Sequence, residues 1–345
     1  MKISTMLDYA GDPRDAATRV RVLEKAGVDM VWVAELYSFD AVSVLGYLAA
    51  HTEQMELGAG ILPIYSRTPT LTAMTAAGLD AVSGGRFVLG LGVSGPQVIE
   101  GWHGVPYDRP IGRTREVVEI CRKVWRREVV VHDGPNYRLP LAPGQGTGLG
   151  KPLKLVNRPV REDIPIYLAS IGHRNVELTA EVADGWLPAF FHPEKAHEVW
   201  GEDLAAGTSV RSDSLGELEV VAGGPLAFCD SEAAARIKDL ARPRIALYVG
   251  GMGSRDTNFY NDLFFRYGFE REAELIQDLY MSGRKAEAEA AVPQEYLDAT
   301  LLVGDEGFVR DRAKAYAAAG VTRLQVDPLG DDPVGAVRRL RTLID

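Results

Sequence analysis

Cysteine is scarce in this chain, with two among 345 residues, Cys121 and Cys229. They stand far apart with no CxxC or metal-ligand spacing, so no disulfide framework is expected and both read as buried thiols in a reducing compartment. Histidine is nearly as sparse. The six, at positions 51, 103, 132, 173, 192 and 197, are scattered, and His192 and His197 stand five apart, off the i, i+4 spacing of a helical metal pair. No metal is expected. Positive charge is also short: 38 Lys and Arg face 48 Asp and Glu, a formal net charge of -10, with pI near 5.2. That balance argues against non-specific binding to nucleic acid or a membrane surface. No apolar run reaches the roughly 18 residues of a spanning helix. The N-terminal "MKISTMLDYAGDP" lacks the long apolar core of a signal peptide. These absences predict a cytoplasmic protein whose partners are small molecules or other proteins.

What is present is a chain that is 46% apolar and 25% charged, able to bury a large core. Short β-rich runs alternate with helical periods from end to end: "KISTML", "RDAATRVRVLEKAG", "DMVWVAE", "AVSVLGYLAAHT", "MELGAGILP", "TLTAMTAAGLDAVSGG", "RFVLGLGV". Alternation of this kind predicts a parallel sheet. It continues through "RTREVVEICRKVWRRE", "IPIYLAS", "NVELTAEVAD", "GWLPAF", "PEKAHEVWGEDLAAG", "LEVVAGGPLAFC", "GFVRDRAKAYAAAG" and "VTRLQVDP". About eight strands result, the number that closes a barrel. The fold class is therefore α/β, a single (β/α)8 TIM-like barrel over residues 1–345. Gly27 and Gly320 sit in matching segments, "EKAGVDMVWVAE" and "AAAGVTRLQVDP", each fitting the left-handed position just past a helix. In "RTREVVEICRKVWRRE", Val117, Cys121, Val124 and Trp125 share one face, which should pack on the outside of the sheet.

Three stretches exceed ordinary barrel connections. Residues 93–112 follow the fourth strand and belong to the C-terminal face, where barrel enzymes place their chemistry. Residues 129–163 precede the fifth strand, have their ends at the opposite face, and read as an extended hairpin with a Gly-rich tip. Residues 230–304 follow the seventh strand and read as a helical insertion over the active face. Its aromatics Tyr248, Phe259, Tyr260, Phe264, Phe265 and Tyr267 read as core or dimer interface.

The stretch "RFVLGLGVSGPQVIEGWHG" spaces Gly90, Gly92 and Gly95 as GxGxxG. A dinucleotide fingerprint needs a helix opening at the third glycine and a later acidic strand end. Here only the preceding strand is evident, and Pro96, Pro106 and Pro110 rule out one continuous helix. The glycines are read instead as a strand ending in a close-approach loop, with Ser94 and Gly95 as ligand contacts. For Gly90 and Gly92 the other reading, relief of crowding inside the barrel, stands equally. Other strand ends converge on the same mouth: Asp8, Glu35, Gly60 to Pro63 with Arg67, and Ser170 to Arg174.

Together with "RFVLGLGVSGPQ", "ADGWLPAFF" and "YVGGMGSRDTNFYNDLFFRYGFE", these strand ends resemble the luciferase-like monooxygenase family, in its branch that uses the deazaflavin coenzyme F420. The resemblance runs along nearly the whole chain. It implies a non-prolyl cis peptide at the end of the third strand, between Gly60 and Ile61, against the cofactor ring. It implies an acid after the second strand; here Glu35 is followed by Leu36 where the family commonly has aspartate and histidine, and a carboxylate paired with an arginine is the competing reading. After the fourth strand this chain has Gly95-Pro96 where the sugar-phosphate dehydrogenases carry Gly-Glu, leaving His103 or Tyr107 to supply a proton. The "LASIGHRN" segment, with Ser170, Gly172, His173 and Arg174, would hold the cofactor's phosphate at a helix N-terminus. Asp8, Tyr37, Trp102 and Tyr107 would face the substrate, a carbon-rich ketone, alcohol or enone. The basic cluster Lys151, Lys154, Arg158 and Arg161 reads as a solvated hairpin rather than a dock for the coenzyme's polyglutamate tail. The resemblance thus implies an F420-dependent hydride-transferring oxidoreductase, a homodimer by family habit. Its alternatives are an FMN monooxygenase fed by a flavin reductase and a non-catalytic F420 carrier.

Overall fold

In the computed structural model, residues 1–7 and 11–344 are described. Eight parallel strands alternate with helices: β1 (Lys2–Leu7), α1 (Pro13–Ala26), β2 (Met30–Val33), α2 (Ala41–Ala49), β3 (Glu56–Ala59), α3 (Pro69–Ser83), β4 (Phe87–Gly92), α4 (Pro110–Trp125), β5 (Ile166–Ala169), α5 (His173–Val182), β6 (Gly185–Trp186), α6 (Ala196–Ser209), β7 (Glu219–Phe228), α7 (Glu306–Ala318), β8 (Arg323–Pro328) and α8 (Pro333–Ile344). Each strand pairs with the next, β6 pairs with β7, β7 with β8, and β8 returns to β1, so the sheet closes into a barrel. Among the described residues no helix is long and apolar enough to cross a membrane.

Local sequence explains the starts and stops. Asp12 caps α1 by accepting from the Arg14 amide, Pro13 opens the helix, and Gly27 ends it at φ 104°. Gly320 has φ 87° past α7, so both expected left-handed glycines are present. Val117, Cys121, Val124 and Trp125 are all buried in the layer between α4 and the sheet. Inside the barrel, alternate strand positions meet instead: Met30, Trp32, Val88, Tyr167 and Val221 form a separate cluster, with Trp32 and Tyr167 rings 5.5 Å apart. The floor is polar. Arg323, almost fully buried, lies 2.7 Å from Glu56, and the Tyr167 hydroxyl donates to Glu219.

The three long connections are more elaborate than their sequences suggest. A six-residue helix, Pro96–Gly101, does open directly after Gly95, contrary to expectation, but Gly104 and the later prolines separate it from α4. Residues 129–163 are not an extended hairpin with a Gly-rich tip. The hairpin is two residues per strand, His132–Asp133 with Arg138–Leu139, and the glycines at 144, 146 and 148 lie beyond it in irregular chain. Buried Glu116 on α4 anchors this hairpin by accepting from the Asn136 side chain and the Tyr137 amide and by lying 2.9 Å from His132 Nε2. The hairpin therefore climbs α4 toward the C-terminal face.

After β7 come helices Ser231–Asp239, Arg242–Gly251, Phe259–Arg266, Glu270–Met281, Lys285–Ala290 and Gln294–Thr300, then a strand, Leu302–Gly304, paired with the end of β7. The Tyr267 hydroxyl donates to the Phe190 carbonyl at 2.9 Å, and Arg266 donates to the Ile171 carbonyl at 2.7 Å. These helices thus pack on the loops that leave β6 and β5.

Candidate active site

The mouth is built around an interruption in the sheet. β3 pairs with β4 at Leu57 and Gly58, breaks at residues 60–61, and resumes at Leu62 and Pro63 opposite Leu91 and Gly92. The Gly60–Ile61 peptide is cis, at the place the resemblance implied. The glycines of β4 serve this junction. A Cβ on Gly90 would stand 1.8 Å from the Ala59 carbonyl oxygen, and one on Gly92 would stand 2.9 Å from the Ile61 side chain. Both positions are glycine because β3 and the cis junction press against them, which is the crowding reading rather than the ligand one. Gly58 and Gly60 leave room in turn for the Trp32 indole beneath.

Glu35, buried after β2, accepts from both Arg67 terminal nitrogens at 2.5 and 2.9 Å and from the Ala41 amide at 3.0 Å. Both carboxylate oxygens are engaged, one of them capping α2. Ser94, just past β4, has φ 56°, a conformation uncommon outside glycine. Tyr37 and Trp102 are exposed, with rings 6.3 Å apart on the rim. His103 is half-buried, and its Nε2 is sealed from solvent with no hydrogen-bond partner among the described residues. Asp8 lies outside the described residues.

Tyr107 joins a cluster that the sequence did not disclose. Its ring lies 5.3 Å from that of Tyr65, whose hydroxyl donates to the Asp108 carbonyl at 2.8 Å. The Arg113 guanidinium stands between the Tyr65 and Tyr137 rings, 5.6 and 5.4 Å from their centroids, and binds Asp108 at 2.7 Å. Hydrogen bonding by Arg113 holds the Asp108 carboxyl below its usual range, while burial pushes the Tyr107 phenol up. Tyr137 comes from the hairpin, so the second insertion reaches the mouth despite starting and ending at the far side.

At the head of α5 the Ser170 hydroxyl lies 2.8 Å from that of Thr179, inside the fold. Gly172 is the N-cap and supplies no side-chain cap, leaving the first amides of α5 free to bind an anion. His173 Nδ1 is 2.8 Å from Asp203, and its Nε2 is 3.4 Å from Arg266. Arg174 is exposed, with no ion-pair partner among the described residues. Of the basic cluster, Arg161 turns inward and binds both oxygens of Asp80, which is fully buried. Among the described residues no group of three or more His, Cys, Asp or Glu is placed to hold a metal ion. A cleft of about 360 Å³ in the third insertion is lined by Arg255, Phe265 and Asp278.

Helix-wrapped parallel barrels carry their chemistry at the C-terminal mouth, and there this chain gathers the non-prolyl cis peptide, left-handed Ser94 and His103 with its unpartnered Nε2; its class is the α/β-barrel enzyme. Residues 1–323 match the luciferase-like monooxygenase family, to which the chain therefore belongs. Over 331 residues, 94% of each chain, it is 42% identical to a Mycobacterium tuberculosis protein provisionally named a coenzyme F420-dependent oxidoreductase. It is 30% identical over 321 residues, 91% of this chain and 89% of the relative, to 5,10-methylenetetrahydromethanopterin reductase of Archaeoglobus fulgidus. The solved coenzyme F420-dependent tetrahydromethanopterin reductase of Methanopyrus kandleri has the same fold, with a TM-score of 0.78 at 24% identity, covering 98% of this chain and 96% of that one.

Proposed function

We propose that the protein is a coenzyme F420-dependent oxidoreductase that transfers hydride between the deazaflavin and a small, carbon-rich organic substrate. The similarity to the mycobacterial relative along 94% of both chains carries this reading. The residues present fit the coenzyme. The mouth side of β3 ends in the cis Gly60–Ile61 peptide, and α5 opens with uncapped amides beside Arg174, which has no ion-pair partner among the described residues. When bound, the deazaflavin supplies a ring carbon that carries the hydride.

In this reading Gly60 and Ile61 support the ring, and Ser94 and Gly95 border it. The amides of His173 and Arg174, with the Arg174 side chain, hold the phosphate at the N-terminus of α5. Asp203 and Arg266 orient His173. His103 moves the proton at Nε2, because that nitrogen is buried and unpartnered. Glu35 acts as a positioning carboxylate through Arg67 and α2. Tyr37 and Trp102 shield the rim. We read the chain as cytoplasmic, in keeping with its two thiols.

A homodimer is favoured by α2 and α3, which pack side by side. α2 has no charged residue, and the one charge on α3, Asp80, is buried, while Leu71, Met74 and Val82 face outward. An exposed helix face without charge suits a second copy of itself.

Fluorescence titration of the purified chain with F420 and, separately, with FMN tests the cofactor reading. Micromolar or tighter F420 binding with much weaker FMN binding is expected. The reverse preference would replace hydride transfer by oxygen chemistry with a reductase partner, and tight F420 binding with no turnover on any ketone, alcohol or enone would point to a carrier.

A further inference from the structure

The aromatic array of the third insertion divides into two parts. Phe264, Tyr267 and Tyr296 are buried core. Tyr248 and Tyr260 are only half-buried and meet Phe190, from the loop after β6, with centroids 5.1 Å and 5.5 Å from the Phe190 ring and 4.8 Å from one another. Phe190 is held in an unusual backbone state, φ 54°. Its carbonyl accepts from both buried phenols, Tyr267 at 2.9 Å and Tyr296 at 3.1 Å. Left-handed non-glycine residues persist where surroundings over-determine them, and such residues cluster at ligand sites.

Tyr107 stands near enough to Tyr260 to influence its phenol. Among the described residues the Tyr260 and Tyr107 hydroxyls have no hydrogen-bond partner, and neither oxygen is sealed from solvent. Burial pushes the Tyr260 phenol up to about 12, with nearby Tyr248 and then Tyr107 adding to the effect. Both phenols are therefore neutral donors near pH 7, one from the loop after β4 and one from the insertion after β7.

We infer that Phe190, Tyr248 and Tyr260 form one wall of the substrate site, which takes flat, ring-bearing carbon compounds whose carbonyl or hydroxyl oxygen accepts from Tyr260 and Tyr107. The inference rests on the hydride-transfer reading for what the bound compound undergoes. An aromatic wall favours a flat partner over a flexible chain of equal carbon count, and each phenol adds one directed hydrogen bond.

Calorimetric titration with acetophenone and with 2-octanone, on the protein with and without F420, tests it. Acetophenone should bind about tenfold more tightly, Tyr260→Phe should weaken it by about tenfold, and Phe190→Ala should abolish the preference. The affinity for F420 should be unchanged in both variants. Equal affinity for the two ketones, or acetophenone binding unaltered in Tyr260→Phe, would overturn the inference. Should Phe190→Ala fail to fold, Tyr260→Phe, which removes a single oxygen, still decides. Failure of F420 to bind would sink the cofactor reading alone, because the titration of cofactor-free protein judges the wall independently.

Discussion

Substitution of Gly90 by alanine should damage both stability and cofactor affinity. The new methyl would stand 1.8 Å from the Ala59 carbonyl oxygen, where real Cβ atoms essentially never come within 3.0 Å. The obstacle is backbone, so no side-chain rotation relieves it. The mouth ends of β3 and β4 must separate, and the ladder there is already thin: Leu62 opposite Leu91, Pro63 opposite Gly92, and the Ile64 amide donating to Gly92 at 3.0 Å. Overpacking costs about 1–3 kcal/mol. Losing one or two ladder hydrogen bonds adds about 1 kcal/mol each. The expected loss is about 2–5 kcal/mol, a large part of the roughly 5–15 kcal/mol that holds a domain folded. Because Ala59 directly precedes Gly60, the same shift should weaken F420 binding by at least about tenfold in the protein that remains folded. Urea denaturation with an unchanged m-value, followed by cofactor titration under native conditions, reads both effects. Gly101→Ala, where nothing lies within 4 Å of the new methyl, is the control. A Gly90→Ala protein within about 0.5 kcal/mol of the parent would refute the reasoning.

Arg161→Ala leaves the Asp80 carboxylate buried without its partner and should cost about 3 kcal/mol in chemical denaturation, with F420 affinity unchanged; a drop in affinity would restore Arg161 to the coenzyme site. Burial acts to raise the Glu116 carboxyl, but hydrogen bonds from His132, Asn136 and the Tyr137 and Asn136 amides outweigh it and hold the group below its ordinary 4.5. Its contribution to stability is thus complete above the unfolded value and lost as pH falls through the lower folded one. Thermal melts taken from about pH 6 down to about pH 3 should therefore fall less steeply in Glu116→Gln than in the parent, and parallel curves would contradict the assignment. Met74→Glu places a charge on the α3 face and should convert a dimer to a monomer by light scattering at micromolar concentration; a parent protein that is already monomeric would remove that interface.

The periodicity of burial, the caps and the stop signals were legible in the chain because they depend on neighbours a few residues away. Asp12, Pro13 and Gly27 bracket α1 by local geometry, and the eight apolar strand runs each recur with their helix, so a closed parallel barrel could be read directly. The position of the cis bond, and the expectation that the segment after β5 holds the cofactor's phosphate, came from the family pattern, not from local chemistry. Tertiary structure alone decided which partners these residues meet. Glu35 finds Arg67 across 32 positions of sequence, Tyr65 finds Asp108 across 43, and Arg161 finds Asp80 across 81. No spacing rule reaches so far. It was likewise closure of the barrel that put Gly90 against Ala59, brought Tyr137 up α4, and split one run of aromatics between core and mouth. In each case the deciding quantity is a contact between distant elements, and that contact exists only once the sheet has closed.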